Sequence, residues 1–306
     1  MKGERIVDQV LSMLFNGLSS SSIILLTSLG LAITFGLMRV INMAHGEFLM
    51  IGAYTTYCVQ NFFKAYLPNL FDLYYFAAIA AAFAITFAFG CVLEKLVISR
   101  LYGREIDSLL ATWGISLILQ QAARSIFGSQ GVFVTSPSFL SGGITLGGNT
   151  YSFNRLFILL VVAFCLLLVW FIQYQSNFGR QMRAVMQNRP MAQCMGINSR
   201  RVDCITFGIG SGLAGIAGCS VALLGSIDST IGQSYIVNSF MAVVLGGVGK
   251  LLGTVFGSGI IGFFSILFEN FTSSSIAKAI VLLIVIIFLQ KKPQGLFVVR
   301  SRSLDE

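Results

Sequence analysis

Long stretches without a formal charge decide what this chain can become. Residues 23–38, 48–63, 73–93, 156–179, 204–227 and 279–290 contain no Asp, Glu, Lys or Arg. A helix that crosses the hydrocarbon core of a bilayer needs about 20 mostly apolar residues, and these runs match that requirement. A membrane β-barrel would alternate apolar and polar residues in strands of about 10, whereas here the apolar runs are continuous. Only 10% of the 306 residues are charged and the mean hydropathy is +0.83, far from the roughly one-quarter charged composition of soluble domains. The expected fold is therefore an all-α polytopic membrane protein. It would have about eight membrane helices plus interrupted or re-entrant segments, in two similar halves and one domain spanning 1–306.

The net charge of +8 does not call for nucleic acid. Lys95, Arg100 and Arg104 form one basic cluster, Arg180, Arg183, Arg189, Arg200 and Arg201 a second, and Lys291, Lys292, Arg300 and Arg302 a third. Clusters at alternate helix ends follow the positive-inside rule, which would place all three, and the 291–306 tail, in the cytoplasm. The amino terminus is then expected outside, with residues 1–19 forming an amphipathic interfacial helix through Ile6, Val7, Val10, Leu11 and Leu14. The six cysteines show no CxxC spacing and mostly fall in apolar runs, so they read as small core residues. With a single histidine a zinc site is not expected. The start of the chain lacks the layout of a cleavable signal peptide.

Against this apolar background one polar break stands out: Arg39-Val-Ile-Asn-Met-Ala-His-Gly-Glu-Phe. Ionisable groups at membrane depth are costly and mark functional sites by default, so Asn42, His45 and Glu47 are the first candidates. Gly46 lets two apolar half-segments bend at the break. The three side chains either line a polar path or satisfy backbone groups freed by the break; Glu47 suits a helix start and Asn42 a cap. A catalytic His–Glu dyad would need a second polar cluster with a nucleophile or metal, and none is visible.

The span 108–127 carries Thr112, Ser116, Gln120 and Arg124 at intervals of four, a single polar stripe on a helix. It can form a hydrogen-bonding lane beside Trp113 or an interhelical zipper. In 204–227, Gly210, Ala214 and Gly218 repeat every fourth residue, which permits close backbone approach in lipid. Gly246-Gly-Val-Gly-Lys interrupts a second apolar stretch and resembles the first break architecturally, as in transporters with internal duplication. It is no phosphate loop, because Leu251 stands where Ser or Thr is required and an apolar helix, not a strand, precedes it. In the 175–203 segment, Asn188 can cap a short helix with Pro190 in its first turn and Gly196 at its end. Such a helix carries Met191, Cys194 and Met195 on one face and either plugs a partner's groove or lies on the membrane surface.

These motifs together resemble the membrane-permease subunit of branched-chain amino acid type ABC importers. The resemblance is carried by Val40-Ile-Asn-Met-Ala-His-Gly-Glu-Phe, by Met195-Gly-Ile-Asn with Arg201-Val, and by Val243-Val-Leu-Gly-Gly-Val-Gly. Within that family the urea branch is the most similar, through Leu110-Ala-Thr-Trp-Gly-Ile-Ser-Leu-Ile-Leu-Gln-Gln, Asn188-Arg-Pro-Met-Ala and Gly232-Gln-Ser-Tyr-Ile-Val-Asn-Ser-Phe-Met. The resemblance implies a transport subunit that is not itself an enzyme and binds no cofactor. Its partners would be a second, homologous permease, two cytosolic ATPase subunits holding ATP and Mg, and an extracytoplasmic binding protein. Arg189, Pro190, Met191, Cys194, Met195, Gly196 and Ile197 would form the coupling helix. Asn42, His45, Glu47, Tyr54, Thr112, Trp113, Ser116, Gln120, Asp228 and Asn238 are the residues expected along the substrate path. Lys250 departs from the uncharged residue expected after Gly249, which leaves open whether that break faces the path or the rim. A branched-chain amino acid or short-chain amide permease and a passive urea channel are the alternatives.

Overall fold

The computed structural model describes residues 2–38, 40–146 and 149–297, with the side chains of 2–11, 37, 105, 146 and 149 excluded. Arg39, Arg300, Arg302, the end of the expected 291–306 tail and the apolar face expected from Ile6 to Leu11 thus lie outside the described residues. The helices are α1 (Lys2–Met38), α2 (His45–Tyr66), α3 (Tyr74–Leu96), α4 (Glu105–Phe127), α5 (Phe153–Tyr174), α6 (Asn177–Gln187), α7 (Arg189–Cys194), α8 (Ser199–Ala222), α9 (Ile231–Gly246), α10 (Leu251–Glu269) and α11 (Ser274–Lys291). A two-stranded antiparallel hairpin, β1 (Gly143–Leu146) and β2 (Asn149–Ser152), sits in the loop after α4.

Among the described residues six helices are long and apolar enough to cross a membrane: α1 from Ser12, α3, α5, α8, α10 and α11. Helices α2 and α4 have 22 and 23 residues but carry the polar break and the polar stripe, which lowers their hydropathy. Helix α9, with 16 residues, is short. This is the expected all-α polytopic architecture. One boundary differs from the expected 1–19 segment: among the described residues α1 runs unbroken from Lys2 to Met38. The run of Ser19 to Ser22 is tolerated in helix, with Ser22 bonding the Ser19 carbonyl and Ser21 the Gly259 carbonyl.

Two halves interlock around close backbone crossings. Helix α1 crosses α8 where Gly30 and Gly210 each lie against the other's carbonyl, so that a Cβ on either would overlap backbone. The starts of α2 and α9 meet in the same reciprocal way at Gly46 and Gly232. Helix α3 packs on α8, with Gly90 against Ser211, and α10 packs on α1, with Gly262 against Ser21. The third helix of each half therefore covers the first helix of the other, an inverted repeat of α1–α4 and α8–α11. Without water to drive apolar association, small residues allow this contact through dispersion and backbone proximity.

The repeat corrects the position of the second break. Gly246–Gly249 is a turn at the end of the bundle where α1 stops: Gly249 lies against Gly36, and Leu296 and Phe297 donate backbone hydrogen bonds to Leu245 and Gly246. The counterpart of the Asn42–Glu47 break is instead 223–232. There the chain leaves α8 and doubles back to place Gly232 on Gly46, six residues before the Gly52–Gly215 contact higher on α2. The first break makes an equivalent return. His45 bonds the carbonyl of Thr27, nine residues before Gly36 on α1, about 14 Å back along the helix at 1.5 Å per residue.

Candidate functional site

The break begins with a tight turn. Asn42 Oδ1 accepts from the Ala44 amide at 3.0 Å within the turn and is not the cap of α2, which is Ala44 without a side-chain cap, while the Met43 amide donates to Thr112 Oγ1 on α4 at 3.1 Å. Glu47 lies in the first turn of α2, where the helix dipole favours a carboxylate. Its Oε1 accepts from Ser116 Oγ and from Gln120 Nε2, each at 2.8 Å, and Gln120 Nε2 also lies 3.1 Å from Ser116 Oγ. One turn further along α4, Arg124 Nε donates to Ser229 Oγ at 2.8 Å. The stripe read from the spacing of α4 thus touches both re-entrant segments, the first at Met43 and Glu47 and the second at Ser229.

This cluster is sealed. Asn42, Glu47, Thr112, Ser116 and Gln120 are all buried, Glu47 with 1% exposure. Two of its polar atoms, Asn42 Nδ2 and Glu47 Oε2, have no hydrogen-bond partner, and neither has Nδ1 of the neighbouring His45. Buried polar atoms are nearly always paired, so these unpaired ones are unusual. Among the described residues no Lys or Arg forms an ion pair with Glu47.

His45 belongs to a different contact. Its Nε2 donates to the Thr27 carbonyl at 3.2 Å, and its ring meets Gly30 and the edge of Phe48. Positions two apart on a helix face different neighbours, and here His45 turns to α1 while Glu47 turns to α4. The pair does not form a dyad.

Tyr54 stands two turns beyond Glu47 on α2, buried, with its ring stacked on Phe127 at 4.2 Å and its hydroxyl unpartnered. It lines an apolar cavity of about 710 Å³ between α2, α3 and α4. The structure does not bring the remaining expected path residues to Glu47. Trp113 is half-exposed, since one residue after Thr112 is a turn of 100° away from the stripe. Asp228 accepts from the amide and hydroxyl of Thr230, both at 2.8 Å, and shapes the turn before α9. Asn238 is only half-buried on α9; its neighbour Ser239 is the buried residue that meets Thr27 of α1. Thr27 and Ser239 carry no spacing signal because they are isolated hydroxyls in apolar runs, and Ser229 is one of several polar residues in Asp228-Ser-Thr with no pattern that singles it out.

The second candidate region lies where α3 ends and α8 begins. Asn188 Oδ1 accepts from the Met191 amide at 3.0 Å, Pro190 occupies the first turn of α7, and Gly196 ends it at φ +81°. Met191 and Met195 are 60% and 77% exposed, and Cys194 is also exposed. Ala192 is buried, and Ile197 packs against the core while its amide bonds the Ala192 carbonyl. Arg189 does not join the exposed face. It turns inward to an ion pair with Asp203 of α8 and lies 4.5 Å over the Tyr102 ring. The Tyr102 hydroxyl in turn donates to Glu94 at 3.1 Å, and burial near Asp203 and Glu94 raises its phenol above the ordinary range.

A family profile described as branched-chain amino acid transport system / permease component matches residues 13–289. The high-affinity branched-chain amino acid transport system permease protein LivH of Escherichia coli is 29% identical over 295 residues, covering 94% of each chain. Protein BraD of Pseudomonas aeruginosa, described in the same terms, is 29% identical over 257 residues, with 82% of this chain and 84% of BraD covered. The ribose import permease protein RbsC of Escherichia coli is 28% identical over 228 residues, 70% of this chain and 69% of RbsC. The match spans both re-entrant segments, the α4 stripe and α7. The chain is a multi-pass membrane protein that belongs to the branched-chain amino acid transport permease family.

Proposed function

We propose that this chain is the permease subunit of an ATP-driven importer and that the solute it passes is urea. The observation that carries the substrate assignment is the Glu47 carboxylate, held by Ser116 and Gln120 through one oxygen and unpartnered at the other. A neutral planar amide fits such a site: Glu47 Oε2 accepts from a urea N–H, and Asn42 Nδ2 donates to its carbonyl. An amino acid brings a carboxylate that needs a cation; among the described residues no Lys or Arg forms an ion pair with Glu47, and Arg124, one turn beyond Gln120, is engaged by Ser229. The urea-type motifs at 110–121, 188–192 and 232–241 point the same way.

Sealing of the cluster supports a gated carrier over a passive channel. The solute reaches Glu47 when α4 parts from α2, and the donors on Ser116 and Gln120 close again behind it. In this reading the basic end faces the cytosol. Two ATPase subunits dock there on the exposed Met191–Met195 face of α7, a second homologous permease completes the membrane path, and an extracytoplasmic binding protein delivers urea. A branched-chain amino acid is the second reading, favoured by the names of LivH and BraD.

Competitive uptake decides between them. In cells carrying the complete transporter, labelled urea uptake is expected to fall on Glu47→Gln and to resist excess leucine. Leucine uptake that urea does not inhibit would replace urea by the branched-chain assignment.

A further inference from the structure

We propose that the basic end of this bundle holds the phosphate headgroup of an anionic phospholipid, in a cavity between the end of α3 and the start of α8. The cavity measures about 730 Å³ and brings together Lys95 and Arg100 from one side and Arg200 and Arg201 from the other. These cations come from two clusters a hundred residues apart in sequence. Among the described residues none of them has an acidic partner. One carboxylate, Glu94, also lines the cavity, where it is buried and accepts from Tyr102, and Asp203 nearby pairs with Arg189, so the four cations outnumber the acid they face. Asn198, which also lines the cavity, caps α8 by accepting from the Arg201 amide at 3.2 Å, so the positive end of a 24-residue helix opens here as well.

The surroundings select a lipid over a free phosphate compound. Val92 and Leu96 lie one turn apart at the end of α3 beside Lys95, and they are 54% and 55% exposed. Phe89, one turn further into the span, is also exposed and borders the apolar cavity between α2, α3 and α4. An apolar track therefore leads from the cations up the outer face of α3, where an acyl chain lies when the headgroup is seated. Basic pockets between membrane helices at a charged bilayer surface take anionic headgroups by this combination of Coulomb attraction and acyl contact. No residue of α7 lines this cavity, whereas the exposed Met191 and Met195 of α7 present the apolar face suited to a protein groove.

The test uses the complete transporter in nanodiscs of phosphatidylcholine, titrated with fluorescent phosphatidylglycerol. The double variant Arg100→Gln/Arg201→Gln is expected to weaken phosphatidylglycerol binding by about thirtyfold. Lys278→Gln, on α11, serves as the control and leaves binding unchanged, and size-exclusion elution verifies that each variant assembles. Unchanged phosphatidylglycerol binding in the double variant overturns the proposal. Displacement of the lipid by inorganic phosphate or ATP at equal concentration overturns it in favour of a soluble phosphate ligand. Loss of the ATPase subunits from the variant with lipid binding intact overturns it in favour of a protein contact.

Discussion

Gln120 Nε2 donates to Glu47 Oε1 at 2.8 Å across 73 residues of sequence, joining the helix stripe to the membrane break. The contact matters because the apolar packing of α4 is concentrated near its end, where Ala123 is buried and Phe127 stacks on Tyr54. Ile106, Leu110, Leu117, Ile118 and Ile126 all point outward, and a large apolar cavity separates α4 from α3. Four polar contacts, at Thr112, Ser116, Gln120 and Arg124, attach it to both re-entrant segments. A helix held by hydrogen bonds along one line can part from its neighbour without dismantling a packed core, which is what a gate requires.

Gln120→Leu removes one of the two donors to Glu47 and leaves a buried acceptor under-satisfied. The expected cost is about 1–2 kcal/mol, read as a lowered thermal midpoint of the purified transporter. Gln120→Glu should be worse, since it sets a second carboxylate against Glu47. A midpoint unchanged in both variants would show that the contact does not hold α4.

Gly46→Ala and Gly232→Ala each place a methyl group against the other helix's backbone carbonyl. Each is expected to destabilise by about 1–3 kcal/mol through overpacking. The double variant should cost less than the sum, because one displacement of the two helix starts relieves both clashes. Strict additivity in thermal unfolding would argue that the two glycines do not share a crossing.

Met191→Asp with Met195→Asp changes two exposed side chains of α7, so the fold should persist. Under the coupling assignment the pair abolishes urea uptake and releases the ATPase subunits on affinity purification. Retained uptake would remove α7 from the coupling role.

Arg189 is predicted to act by positioning α7. Arg189→Ala leaves the buried Asp203 unpaired and uncovers the Tyr102 ring, at a cost of about 2–4 kcal/mol. Amide exchange in 189–197 should rise sharply. Arg189→Lys restores the ion pair but not the planar stack, so protection should return in part.

The sequence by itself determined the local elements and their chemistry. Uncharged runs of membrane length dictated helices, fourfold spacing put Thr112, Ser116, Gln120 and Arg124 on one face, and Asn188, Pro190 and Gly196 delimited α7. Each follows from helical periodicity or from a local backbone preference. Tertiary structure decided what those elements meet. It turned Glu47 to the α4 stripe and His45 to Thr27, left Trp113 facing outward, and drew Arg189 in from the exposed face. It also paired the first break with 223–232 through Gly46 and Gly232, while Gly246–Gly249 became a turn at the bundle end. No residue pattern encodes that pairing, because a glycine permits close approach without naming its partner. Only the interlocked inverted halves bring these two backbones together.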